Sequence, residues 1–337
     1  MPVSLVTGGA GFMGSHVTAH LLKAGHEVVV LDDLSGGFLD NVPQAANFVE
    51  GSVLDEKLLG SLFEKHKFTY VYHLAAYAAE GLSHFIKRFN YQNNLIGSVN
   101  LINEAINHDI KCFVFTSSIA VYGAGQSPLT ENMIPLPEDS YGIAKLAVEQ
   151  ELKVSHEIFG LDYVIFRPHN VYGERQNIGD RYRNVVGIFM NQLLRGEAMT
   201  IFGDGTQQRA FSHIDDVAPI IADAVNVYAA RNQIFNVGAD VPYTVNDLAR
   251  TVAGALGKEC RIKYLEPRNE VKVAFSDHSK AERVFRIGQK VSLTDGIRAM
   301  AEWVKQHGAR ESSVFENIEI ARNMPPSWAA ALATLQA

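Results

Sequence analysis

The stretch TGGAGFMG, residues 7–14, constrains the fold of this chain more than any other. It follows the apolar run VSLV and precedes SHVTAHLLKAGH, where Val17, Leu21 and Leu22 share a helical face and Gly25 is a stop signal. Gly8, Gly11 and Gly14 therefore join a strand to a helix. Glycine lets the backbone turn tightly and approach a pyrophosphate, whose charge the helix N-terminus favours. Glycines alone also serve ordinary turns. Their place between strand and helix is what points to a dinucleotide. The next strand, HEVVVLDD, closes on Asp32 and Asp33. A carboxylate there can accept from both adenosine ribose hydroxyls and repels a 2′-phosphate, and no Arg follows immediately, so NAD is favoured over NADP. Asp33 fits a surface-turn role better than Asp32. Leu74, Ala75 and Ala76 in HLAA keep the end of a later strand small enough for a cofactor, although close packing alone would also ask for small residues.

Apolar runs TYVYHLAA, KCFVFTSS and YVIFRP alternate with helical stretches SVNLINEAINHD and SYGIAKLAVEQELKVSHEIFG. Continuous apolar strands alternating with helices imply an α/β protein with a doubly wound parallel sheet covered on both faces. The pattern loosens after about residue 170. The expected organisation is a dinucleotide-binding domain over 1–170, a smaller mixed α/β substrate-binding region over 171–307, and a C-terminal extension over 308–337. FNVGA, residues 235–239, reads as a strand returning to the first sheet. The extension carries no legible motif and is expected to pack on the body or on a partner.

Composition excludes several function classes. The 337 residues carry a formal net charge of −7 with no basic block, which gives no reason to expect nucleic acid or an anionic membrane as partner. No apolar run approaches the roughly 18 residues of a membrane span, and the start of the chain lacks a signal-peptide pattern. Cys112 and Cys260 form neither a disulfide framework nor a zinc pattern, so no metal is expected and a reducing cytoplasm fits.

Tyr141 and Lys145 lie one helical turn apart and share a face. A phenol titrates near about 10 when unperturbed, and a cation one turn away is expected to lower that value. Ser118 ends a strand 23 residues before the tyrosine and could share a substrate proton with it. Each residue has a bland reading, a strand-end hydroxyl or a chance pair. Together they look like a hydroxyl-oxidising site.

With TGGAGFMG, LDDLS, HLAA, TSSIAVYG, YGIAK and RPHNVYG all in order, the chain resembles the extended short-chain dehydrogenase/reductase family, in its nucleotide-sugar epimerase and dehydratase group. The resemblance runs from residue 3 to about 307. It implies a Rossmann-type domain and a catalytic set of Ser118, Tyr141 and Lys145, the last two also touching the cofactor. It implies NAD contacts from Gly8, Gly11, Phe12, Met13, Gly14, Asp32, Ser52, Val53, Leu74, Ala75, Ala76 and Asn94. It implies that Asn170, Arg209 and Arg268 bind a substrate diphosphate together with Ser118 and Ala274 at the sugar. Two departures stand out: Ser52, in GSV, replaces an Asp common near the adenine, and EPRNEV is one residue short around Arg268.

Dehydratases that resemble this chain carry Asp–Glu directly after the Ser or Thr, and 3,5-epimerases carry a Cys at the second position. Here those positions are Ile119 and Ala120, neither of which can move a proton. What remains is oxidation and reduction at one hydroxyl. The resemblance then implies NAD-dependent 4-epimerisation of a nucleotide-diphosphate sugar, first UDP-glucose/UDP-galactose. The small Ala274 leaves room for UDP-GlcNAc/UDP-GalNAc. Arg175, Arg181 and Arg183 keep a UDP-glucuronate 4-epimerase open, and a one-way 4-reductase or dehydrogenase is a further alternative. A homodimer joined through helices in NYQNNLIGSVNLINEAI and SYGIAKLAVEQELKV is the family expectation.

Overall fold

The computed structural model describes residues 1–124, 127–267, 271–312 and 314–336. Seven parallel strands make the main sheet: β1 (Val3–Thr7), β2 (Glu27–Asp32), β3 (Asn47–Glu50), β4 (Tyr70–His73), β5 (Cys112–Thr116), β6 (Tyr163–Pro168) and β7 (Gln233–Val237), in spatial order 7-6-5-4-1-2-3. The expected strand near 235–239 is β7, paired in parallel with β6.

Side-chain alternation explains why both faces are covered. Val28 and Val30 of β2 enter one core with Val6, Tyr72, Val114 and Phe166. Val29 and Leu31 enter the other with Leu5, Val71, Phe113 and Ile165. Successive strand residues point to opposite faces, so a strand buried on both sides must be apolar throughout. Truncating one of the buried phenylalanines to alanine would cost about 3–5 kcal/mol.

Because all strands run the same way, the carboxyl ends of β1, β2, β4, β5 and β6 meet on one edge. His73 ties that edge together: Nδ1 bonds Thr7 Oγ1 at 2.7 Å and Nε2 bonds Ser98 Oγ at 2.8 Å. Burial pulls its pKa down to about 3, with the Lys145 charge adding in the same direction.

The C-terminal region builds its own core from the helices Val185–Leu194, Val245–Leu256 and Leu293–His307, around Phe189, Leu248 and Met300. Short strands at Met199–Phe202, Gln208–Ala210 and Val273–Ala274 belong to small separate sheets of this region. Among the described residues, no helix is long and apolar enough to cross a membrane.

Candidate active site

One cavity of about 1600 Å3 runs across the strand ends. At one end lies the glycine loop. Gly8 has φ +73°, and a β-carbon there would stand 2.7 Å from the Ala75 amide nitrogen. A β-carbon on Gly14 would stand 2.1 Å from the Gly8 carbonyl oxygen. Only glycine lets the loop, β4 and the first helix, α1 (Phe12–Lys23), come this close. Gly11 caps α1 without any side-chain hydrogen bond, so the leading amides of the helix remain open toward the cavity. Asp32 closes β2 beside them and accepts from the amides of Ala10 (3.0 Å) and Leu34 (2.8 Å). Burial raises its pKa and those amides work against the rise. Asp33 instead accepts from Ser35 within a surface turn, as its position suggested.

Phe12, Met13, Ser52, Val53, Leu74, Ala75 and Ala76 all line this end. Asn94 does not. It is buried behind the wall, where Oδ1 accepts from the Tyr77 amide at 2.8 Å and Nδ2 donates to the Tyr77 carbonyl at 3.1 Å. It shapes the loop after β4 from outside the cavity. An open helix end, a glycine cradle and a strand-end carboxylate form the donor and acceptor set that a dinucleotide needs, so these residues fit NAD.

The middle of the cavity holds Ser118, Tyr141 and Lys145. The helix α2 (Ser140–Phe159) starts at Asp139, whose carboxylate caps the Gly142 amide at 2.8 Å. This places Tyr141 in the first turn and Lys145 one turn on. The Tyr141 amide is held by Ser83 Oγ at 3.2 Å. Lys145 Nζ donates to the Thr116 carbonyl at 2.8 Å and lies 4.6 Å from the Phe115 ring and 5.8 Å from the Tyr141 ring. The Ser118 and Tyr141 side chains both line this part of the cavity, and Ser118 acts to lower the Tyr141 pKa. Ser118 Oγ also accepts the Ala120 amide at 3.1 Å.

The electrostatics correct one sequence expectation. The Tyr141 pKa is raised above its ordinary value, and Lys145 is not among the main influences on it. Burial drives the Tyr141 pKa up, the neighbouring Ser118 hydroxyl pulls it down, and the Glu80 and Asp139 carboxylates push it up further. Lys145 is itself desolvated, its pKa pushed down to about 7 by burial and partly restored by Glu149. Burial pushes the lysine toward its neutral form, so it offers its neighbour less charge. Ile119 and Ala120 line the cavity beside Ser118 and bring no titratable group.

At the far end, Asn170 adopts φ +41° and donates to the Ala210 carbonyl at 3.1 Å. Asn tolerates this left-handed region better than most residues. Arg209 bonds the carbonyls of Gln208 (2.8 Å) and Lys272 (3.2 Å), and Ala274 pairs with it across the strands. All three line the cavity. Arg268 lies outside the described residues. The loop arginines separate. Arg175 turns away to the Ser15 carbonyl at 3.2 Å, and Arg181 is not part of the wall. Arg183 lines the cavity, its Nε donating to Asp180 at 2.7 Å and its guanidinium 4.8 Å from the Tyr77 ring.

Sequence reasoning passed over Tyr77, Glu80, His84, Tyr182 and residues 323–328, which also line the cavity. The stretch AYAAEGLSH held the only signal, two titratable residues four apart just after HLAA. Among the described residues, no group of three or more His, Cys, Asp or Glu is placed to hold a metal.

The model of the "NAD dependent epimerase/dehydratase family" matches residues 4–238. The UDP-glucose 4-epimerase of Mycolicibacterium smegmatis is 34% identical over 310 residues, covering 90% of this chain and 98% of that protein. The structure of UDP-glucose 4-epimerase from Thermotoga maritima with UDP-glucose superposes with a TM-score of 0.87 at 35% identity, covering 91% of this chain and 99% of that one. The UDP-glucuronic acid 4-epimerase of Bacillus cereus, in complex with UDP-glucuronic acid and NAD, gives 0.83 at 29% identity, covering 91% and 100%. The chain belongs to the NAD-dependent epimerase/dehydratase family and groups within it with the NAD-dependent nucleotide-sugar 4-epimerases.

Proposed function

We propose that the protein interconverts UDP-glucose and UDP-galactose by inverting C4, and that it also accepts the N-acetylated pair. The observation that carries this reading is the middle of the cavity. Ser118, Tyr141 and a buried Lys145 stand there together, while the neighbouring positions 119 and 120 carry only hydrocarbon.

Gly8, Gly11, Gly14 and Asp32 would hold NAD, which supplies the hydride acceptor and donor. Tyr141 takes the proton of the sugar 4-hydroxyl, with Ser118 sharing the hydrogen bond, and later returns it. Lys145, anchored to the Thr116 carbonyl, positions the ring of Tyr141 and the cofactor ribose. Asn170, Arg209 and Arg268 would grip the diphosphate. The guanidinium fork suits that task. Binding energy gathered at the nucleotide keeps the 4-keto sugar from escaping while it turns over in the cavity.

Ala274 is the basis for including N-acetyl sugars, because a methyl group leaves room beside the pyranose. UDP-glucuronate is the second reading. It draws on Arg183 in the cavity wall, although Asp180 already engages that charge. A homodimer belongs to the proposal as well. Ile96, Ile143 and Val154 are left exposed on the two helical stretches expected to form the interface, whereas Ile102 and Val148 are spent in the core. Light scattering of the purified protein tests it, with a monomer at micromolar concentration as the contrary result.

The test of the reaction is incubation of purified protein with UDP-glucose, UDP-GlcNAc and UDP-glucuronate without added NAD, with products resolved by chromatography. Conversion to the matching 4-epimers is expected for the first two. Turnover of UDP-glucose without UDP-GlcNAc would remove the Ala274 argument. Preference for UDP-glucuronate would replace the first reading by the second.

A further inference from the structure

The chain after His307 crosses the mouth of the cavity. Arg310 lays its guanidinium 3.6 Å from the Phe38 ring centre and exchanges hydrogen bonds with Asn191, its amide donating at 2.9 Å and its carbonyl accepting at 3.0 Å. The Phe315 amide donates to the Tyr182 hydroxyl at 3.3 Å, and its ring packs edge-on against Phe89 at 4.9 Å. Glu319 accepts from the amides of Arg88 and Phe89, both at 2.8 Å. Trp328, only 7% exposed, then inserts between Tyr182 (5.1 Å between centroids) and Phe85 (6.3 Å). Ordering a chain end costs conformational entropy, and these contacts are what offset it here.

The segment therefore joins two parts of the molecule that are distant in sequence, the loop around Tyr182 and the turn at 80–89. Its residues 323–328 line the cavity beside Gly81 and His84. A β-carbon on Gly81 would meet the Trp328 ring at 3.5 Å. Two residues on, Ser83 holds the Tyr141 amide. Residues 323–328 are thus on the side of the cavity where Tyr141 stands, whereas Arg310 reaches Phe38 beside the glycine loop. Met324, Pro325, Pro326 and Trp328 give it mostly hydrocarbon surface, which suits the C–H face of a pyranose and offers no charge to a carboxylate.

We propose that the C-terminal segment is a wall of the sugar pocket and that Trp328 is a specificity-determining side chain of it. This rests on the UDP-sugar reading above. The chain holds two tryptophans, and the other, Trp303, stacks on His307 at 4.3 Å and does not line the cavity. Trp303→Phe therefore leaves Trp328 as the only indole reporter. Full-length W303F protein is titrated with UDP and, separately, with UDP-glucose, and calorimetry follows binding in parallel. Trp328 emission should change with UDP-glucose and stay flat with UDP. In a second variant, Glu319→Ala, the segment loses its hold on residues 88–89, and KM for UDP-glucose should rise several-fold with kcat nearly unchanged. Flat emission while calorimetry registers UDP-glucose binding would overturn the assignment, and so would an equal response to UDP alone. If calorimetry registers no UDP-sugar at all, the substrate reading itself fails and takes this inference with it.

Discussion

At the dinucleotide end of the cavity, the walls come from short stretches that each follow a strand: 8–14 after β1, 32–33 after β2, 52–53 after β3 and 74–76 after β4. At the sugar end they come from segments scattered between Tyr77 and Trp328, most of them loops. The first kind of wall is dictated by backbone geometry, since parallel strands must deliver their ends to one edge. The second depends on side chains that tertiary packing brings together. One end should therefore fail through backbone crowding and the other through changes of chemistry or preference.

The largest effect is expected where the two ends meet. Tyr141→Phe removes the hydroxyl proposed to take the 4-hydroxyl proton and should lower kcat by about 10²–10⁴-fold. Bound NAD, measured by chromatography of the denatured protein, should remain. Loss of NAD along with turnover would mean that Tyr141 mainly holds the cofactor.

Gly14→Ala tests the backbone-built end. Its β-carbon would be driven to 2.1 Å from the Gly8 carbonyl, and relief requires the loop to shift at a cost of about 1–3 kcal/mol. NAD content and Tm should both fall, whereas Ala274→Tyr should leave both intact. That second substitution belongs to the sugar end. It is expected to shift the UDP-GlcNAc to UDP-glucose ratio of kcat/KM by about 10–200-fold against the N-acetyl sugar. An unchanged ratio would show that position 274 does not face C2.

The smallest effect concerns Glu80. Its carboxylate raises the Tyr141 pKa, so Glu80→Gln should ease ionisation of the phenol. The acidic limb of the kcat/KM profile should move to lower pH, by a fraction of a unit, because Glu80 is exposed and water screens it. Movement to higher pH would mean that Glu80 assists the proton transfer directly.

The same contrast explains what could be read in advance. The glycine loop, Asp32, the small residues after β4 and the Ser118–Tyr141–Lys145 set follow local rules of turn geometry and helical spacing, and they do line one cavity. β7 was legible because an apolar run flanked by turn residues has few other places to go. The place of Asn94 behind the cavity wall was not legible, because its hydrogen bonds to Tyr77 join residues 17 apart in sequence. The direction of the Tyr141 shift was missed because sequence spacing reports the distance to Lys145 and says nothing of burial, which wins here. The C-terminal segment was opaque for a related reason. Its role lies in where Glu319 and Trp328 dock, over 230 residues from Arg88 and Phe85.

The central claim is that chemistry is confined to one carbon, because Ile119 and Ala120 can move no proton. The most direct test is to run the reaction in D2O and locate deuterium in the recovered UDP-hexose by mass spectrometry and NMR. The 4-epimer is expected with no solvent deuterium on any ring carbon, since the C4 hydrogen leaves and returns as hydride. Deuterium at C3 or C5 would contradict this and would point to a second proton-moving group, with Glu80 and His84 among the titratable residues that share the cavity with Tyr141.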